Sequence, residues 1–141
     1  MGVHDVSGDR TLVAATSVET GRFAVIERSV DRDELIRLVD QLSSMDEGYL
    51  EVHPLSNAYP TLLVGFGRRC AVVQCMSSAD SMALLMGDGS VVGAELVDVL
   101  IMDDLASYTG EYVMACARAR EVLLKFAEGA DVLALGEWHE L

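Results

Sequence analysis

Two apolar stripes at helical spacing organise the chain. Leu35, Leu38, Val39 and Leu42 recur at i, i+3, i+4 and i+7, while Asp33, Glu34, Arg37, Asp40 and Gln41 fall on the opposite side. Asp31 stands where an N-cap is needed, and Glu34 three positions on completes a capping-box signal. The pattern predicts an amphipathic helix over about 31–44. Ala119, Val122, Leu123 and Phe126 repeat it, with Glu121 and Lys125 placed to pair and Gly129 placed to end the helix. A late helix is predicted over about 116–128.

The rest of the pattern is that of strands. Thr11–Val18 is rich in β-branched and small residues, and Arg22–Val30 alternates, with Phe23, Val25 and Glu27 on one side. Gly21 between them implies a hairpin. Tyr49–His53 is a short strand ending at Pro54. Thr61–Phe66 sets Leu62, Val64 and Phe66 on one face and Leu63 and Gly65 on the other. Gly67-Arg68-Arg69 turns the chain and Cys70–Met76 returns antiparallel. Gly87-Asp88-Gly89 is a hairpin signal, Val91–Met102 supplies one or two more strands, and Glu111–Met114 adds another. Several strands are apolar on both faces, which predicts helices over much of the sheet. Trp138 is expected to pin the tail to the body. The expected fold is α+β, a single domain over 1–141 with residues 1–10 as a flexible leader. Its mainly antiparallel sheet has about five or six strands, flanked by the early and late helices.

Composition narrows the class. At 141 residues and 51% hydrophobic content the chain can bury a core without covalent staples. No apolar run approaches the roughly 18 residues of a membrane span, and the first ten residues lack a signal-peptide pattern. A soluble, cytoplasmic protein is expected. Cys70 and Cys75 lie five apart in one strand and should face opposite ways; with Cys116 they are expected as reduced, core-filling thiols. The net charge of −13 opposes direct nucleic-acid binding and favours basic partners. Magnitude limits that argument. Area scaling gives about 7,100 Å² of folded surface, so an interface of about 800 Å² would hold about 1.5 net negative charges if they were spread evenly. Charge marks a binding face only where the acids cluster.

Catalytic chemistry is not legible. His4, His53 and His139 are isolated, with no HExxH, CxxC or paired-histidine spacing for a metal. Gly65-Phe66-Gly67 and Gly87-Asp88-Gly89 lack the third glycine and following helix of a dinucleotide site. No Walker A motif surrounds Lys125, the sole lysine. Ser77, Ser78 and Ser81 have no GxSxG context, and Cys75 has no activating histidine in its neighbourhood. Asp103–Asp104 and Asp46–Glu47 read as solvated loop carboxylates. No catalytic, metal or cofactor site is therefore predicted. What remains is Met102–Tyr112, with three acids, two tyrosines and small residues. It reads either as an ordinary connection or as a protein-binding segment.

The order of these elements carries a resemblance. Asp33-Glu-Leu-Ile-Arg-Leu-Val-Asp-Gln-Leu42 is followed by Leu62-Leu63-Val64-Gly65, Ala71-Val72-Val73 and Gly87-Asp88-Gly89. Then come the helix Ala119–Glu128, Gly129, and a terminal Trp138 with Glu140 two residues on. Over roughly Asp31–Leu141 this resembles immunity family one of the bacterial polymorphic-toxin immunity proteins, common in actinobacteria. The resemblance implies an α+β domain that neutralises a cognate protein toxin, often a nucleic-acid-targeting enzyme such as a deaminase. The lack of a catalytic constellation and of an apolar span separately leads to the expectation of no enzyme activity, no cofactor and no membrane. Occlusion of a basic substrate cleft would suit the acidic charge. From the acid-rich segment and the turns, the candidate toxin-binding residues are Asp80, Asp88, Asp103, Asp104, Tyr108 and Glu111. Two other readings stand beside this one: a small regulatory or scaffolding module, in particular a homodimer, and an enzyme built from convergent carboxylates or Cys75. Monomer and dimer both remain open for the free protein.

Overall fold

Asp31 and Glu34 cap the first helix as their spacing predicts. In the computed structural model, which describes residues 10–141, α1 spans Arg32–Ser44. The Glu34 N–H donates to the Asp31 carboxylate at 2.8 Å, and the Asp31 N–H donates to the Glu34 carboxylate at 2.9 Å. Leu35, Leu38, Val39 and Leu42 are its buried residues. The second helix, α2, spans Cys116–Ala127 and buries Ala119, Val122, Leu123 and Phe126. Gly129 ends it at φ +98°. There the Gly129 N–H donates to the Phe126 carbonyl and the Ala130 N–H to the Lys125 carbonyl, each at 3.0 Å. This is a Schellman cap, which satisfies carbonyls that the helix leaves open. Most of the predicted leader, residues 1–9, lies outside the described residues.

Ten strands alternate with these helices: β1 (Thr11–Thr16), β2 (Phe23–Val30), β3 (Glu47–Pro54), β4 (Thr61–Gly67), β5 (Cys70–Ser78), β6 (Ser81–Leu85), β7 (Leu96–Ile101), β8 (Asp104–Thr109), β9 (Met114–Ala115) and β10 (Trp138–Glu140). Eight form one antiparallel sheet in the order β10-β6-β5-β4-β3-β1-β2, with β9 beside β5. The other two, β7 and β8, form a separate hairpin. The α+β class holds with a larger sheet than expected, because short strands such as β9 and β10 carry too few residues to show a period. Trp138 pins the tail as predicted: β10 pairs with β6, and the indole N–H donates to the Val132 carbonyl at 2.8 Å.

The two faces of the large sheet are covered differently. Leu62, Val64 and Phe66 of β4, with Ala71, Val73 and Cys75 of β5, meet the apolar stripes of both helices in the main core. The opposite face was expected to lie under helices as well, and it does not. There the β7–β8 ribbon covers the sheet, with Val97 and Val99 packing on Val72 and Leu84, and Leu100 on Tyr49 and Leu63. Cys70 and Cys75 accordingly face opposite ways; all three cysteines are free, and only Cys75 is buried.

Glycine decides how closely the ribbon approaches. Leu63, Gly65 and Gly67 share the face of β4 beneath β7. A Cβ at Gly65 would lie 2.4 Å from the Leu100 carbonyl oxygen, and one at Gly67 would lie 2.2 Å from that of Asp98. Those carbonyls point at the sheet because of register. Only Met102 and Asp103 link Ile101 to its partner Asp104, and a two-residue hairpin closes on a hydrogen-bonded pair. The backbone groups of Leu96, Asp98 and Leu100 therefore point away from β8 and towards β4. The ribbon stands on its β7 edge.

Two sequence expectations fail locally. Gly87-Asp88-Gly89 does not turn a hairpin: β6 pairs with β5 and β10, and β7 pairs with β8. Asp88 instead accepts the Ser90 N–H at 3.0 Å, an Asx turn that uses the same residue types. Nor is Met102–Tyr112 a loop. It holds the ribbon's turn, β8 and a 3-10 turn over Gly110–Tyr112. With no residue of β8 fully buried, no apolar alternation marks it in the sequence.

The β4–β5 turn carries a cost. Arg68 and Arg69 both hold positive φ, +50° and +66°, in a two-residue connection between Gly67 and Cys70. Such turns favour Asn-Gly, since a Cβ is strained in the left-handed region. Arg68→Asn with Arg69→Gly is expected to add about 1 kcal/mol, a rise of about 3 °C in melting temperature by calorimetry.

Candidate protein-binding face

The outer side of the β7–β8 ribbon gathers charge that the sequence scatters. Glu95, Asp98, Asp103, Asp104 and Glu111 are all exposed on it or at its ends. Five acids on one hairpin about 20 Å long contrast with the roughly 1.5 expected for an evenly charged patch. Apolar side chains stand among them: Leu96 is 65% exposed, Leu105 54% and Met102 46%. A linear signal for this clustering exists. The 48 residues from Cys70 to Ala117 carry seven acids and no Lys or Arg.

The six candidate residues separate in three dimensions. Asp103, Asp104, Tyr108 and Glu111 come together on the ribbon or just after it. Asp103 also has a structural task, since its carboxylate accepts the Phe23 N–H at 2.8 Å and ties the hairpin tip to β2. Phe23 then meets Tyr49 edge-on, with ring centroids 5.3 Å apart. Tyr108 is half-buried, its hydroxyl accepting from Gln74 Nε2 at 3.2 Å, and burial pushes its phenol pKa up. Asp98, on β7, accepts from the Ser107 hydroxyl of β8. Asp80 and Asp88 lie off the ribbon. Asp80 occupies the β5–β6 turn, beside Glu140 and Leu141. Asp88 accepts from Ser90 and, at 3.1 Å, from the Ala115 N–H at the start of α2. Burial raises its pKa, but these hydrogen bonds outweigh that and lower it.

Sequence spacing left His53 isolated, whereas the fold supplies it with partners. Its Nε2 lies 2.5 Å from the Glu27 carboxylate, and Nδ1 lies 2.8 Å and 2.9 Å from the Pro54 and Asn57 carbonyls. Both nitrogens meet only acceptors, an arrangement that favours the protonated ring. Burial lowers the His53 pKa, yet the hydrogen bonds it donates to Glu27 and the two carbonyls outweigh it and raise the value above 6.5. Beside it, the Tyr49 hydroxyl donates to Glu51 at 2.6 Å; burial first, then Glu51, pushes that phenol far above its usual range. Glu27, Glu51 and His53 border an open cleft of about 200 Å³, lined also by Tyr59, Leu63 and Met76. While protonated, a histidine donating from both nitrogens has no lone pair for general-base work. It is a clamp between β2 and the loop after β3. Its stabilisation is complete below about pH 6.5 and is lost as pH rises through the raised folded value. Unfolding free energies of the parent and His53→Gln should therefore converge between pH 6 and pH 9. A constant gap would rule the clamp out.

Among the described residues, no group of three or more His, Cys, Asp or Glu side chains is placed to hold a metal, and no helix is long and apolar enough to cross a membrane. No model of a known protein family matches the chain, and no curated protein matches it.

Proposed function

We propose that the protein is a non-catalytic inhibitor of the immunity type, which binds a cognate protein toxin and blocks its active site or substrate cleft. One observation carries this reading: five acids and three exposed apolar side chains share a ribbon that carries no Lys or Arg. Acids of one sign steer a basic partner and raise the on-rate, while apolar anchors slow dissociation. A toxin acting on nucleic acid presents such a basic cleft, because it must hold phosphates. The elements implied by the resemblance, an antiparallel sheet with an early and a late helix and a terminal tryptophan, are compatible with this role. The test is capture of the protein encoded beside this gene, together with growth rescue on co-expression. If that neighbour is toxic and is neither bound nor neutralised, the reading is wrong.

A second reading, a self-associating regulatory module, draws on the edge of the main sheet. Edge strand β2 leaves Val25 71% and Ile26 83% exposed. Exposed apolar side chains on one strand favour burial against a second copy, through side chains and not through strand pairing. Mass in solution at increasing concentration separates the two, since only the module reading requires a dimer.

A further inference from the structure

The ribbon presents an unpaired strand edge as well as charge. In the β7–β8 ladder the hydrogen-bonded pairs are Ile101–Asp104, Val99–Ala106 and Val97–Tyr108, as the two-residue turn requires. The remaining β8 residues, Leu105, Ser107 and Thr109, direct their N–H and C=O groups away from β7. Among the described residues β8 pairs with no other strand. The equivalent groups of β7 rest against Gly65 and Gly67, so the inner edge of the ribbon is covered and the outer edge is free. The main sheet's free edges differ in kind. In β2 the register slips between its two paired stretches, with Val25–Glu27 opposite Ala14 alone, and β10 has only three residues. A bulge or a short strand blunts an edge, and β8 has neither.

We infer that the outer edge of β8 accepts an extended, basic segment of the partner protein as an added antiparallel or parallel strand. Main-chain hydrogen bonds to Leu105, Ser107 and Thr109 hold the segment. Its alternating side chains fall on the two flanks of the ribbon, Asp104, Ala106 and Tyr108 on one, and Leu105, Ser107 and Asp98 on the other. The charge selects lysine or arginine on the Asp104 flank, and Leu105 selects apolar residues on the opposite flank. The ribbon is held in place at its base by the two glycines and at its tip by Asp103, so the edge is ordered before the partner arrives. The identity of the partner rests on the inhibitor reading above, while the mode of docking rests on the ribbon.

The experiment is amide hydrogen exchange on the full chain, with a synthetic peptide of alternating lysine and valine, about seven residues long, to match a strand of this length. At millimolar-order concentration the peptide should slow exchange at Leu105, Ser107 and Thr109 at least about tenfold, and the same peptide with glutamate for lysine should not. Ser107→Pro removes one outward N–H without breaking the β7 ladder, and should abolish the protection while β4 and β5 amides exchange as in the parent. Asp98→Lys with Asp104→Lys should abolish it with every edge amide intact. Absence of protection on β8, or protection at β2 or β10 instead, overturns strand addition. If the neighbouring toxin binds and leaves the three amides as exposed as before, this docking mode fails and the inhibitor reading stands. If the peptide protects β8 but no toxin is bound or neutralised, the edge stands and the inhibitor reading fails.

Discussion

Gly67→Ala is expected to lower the melting temperature by about 10 °C, the equivalent of about 3 kcal/mol in a chain of this size. The added methyl would sit 2.2 Å from the Asp98 carbonyl oxygen and 3.1 Å from the Val99 Cα, so it meets backbone and not a flexible side chain. Two responses are open. The ribbon stays and the clash is spread as overpacking strain, which costs about 1–3 kcal/mol. Alternatively it lifts, and Val97, Val99 and Leu100, each 7% exposed or less, regain water at about 1.5–3 kcal/mol apiece. The cheaper response still costs stability, and a small lift adds part of the second cost to the first. Gly65→Ala should behave similarly, with 2.4 Å to the Leu100 oxygen. Gly93→Ala is the control, because nothing lies within 4 Å of its Cβ position; it should stay within about 0.5 kcal/mol of the parent. Thermal unfolding of all three decides the matter. A Gly67→Ala protein melting within about 2 °C of the parent would mean that β7 does not bed on β4.

Reversing charge at Asp98, Asp104 and Glu111 together, each to lysine, should slow association with the proposed toxin partner about 100-fold with little loss of stability. These side chains are exposed, and their pairings are with neighbouring hydroxyls, so the fold asks little of them. Asp103 is left alone because its carboxylate clamps Phe23. An equal change in net charge at Glu19, Glu47 and Glu137, exposed acids off the ribbon, separates local steering from the global field. Stopped-flow rates at several salt concentrations should fall steeply for the parent and stay nearly flat for the ribbon variant, because salt screens exposed charges beyond about 10 Å. Equal slowing by both triple variants would remove the ribbon as the binding face.

Legibility along the chain followed the range of the physics involved. Both helices, their caps and all eight of their buried stripe residues could be read directly, because helical contacts and capping hydrogen bonds join residues three or four apart. The β4–β5 hairpin and its two faces were equally plain, since alternation and the Gly67–Cys70 turn are local. Reading failed where a strand buries no residue fully, as in β8, or is very short, as in β9. It failed again at Asp88, where one dipeptide serves a hairpin or an Asx turn and only the surroundings choose. His53 looked solitary because its partner Glu27 is 26 residues away, across β1.

The structure places Asp103, Asp104, Tyr108 and Glu111 of the proposed binding face together on or just after the ribbon, and brings Leu96 and Asp98 beside them, which lie outside the segment singled out by sequence. By itself the sequence determined the α+β class, the helical stripes, the strand faces of β4 and β5, and the absence of a recognisable catalytic motif. All of these follow from periodicity and spacing within a few residues. Only the tertiary structure decided which layer covers the second face of the sheet, that two glycines of β4 are the seat of the ribbon, and that β8 turns a free edge outward. Those outcomes depend on backbone meeting backbone between segments about thirty residues apart, and side-chain patterning carries no record of where a carbonyl will point.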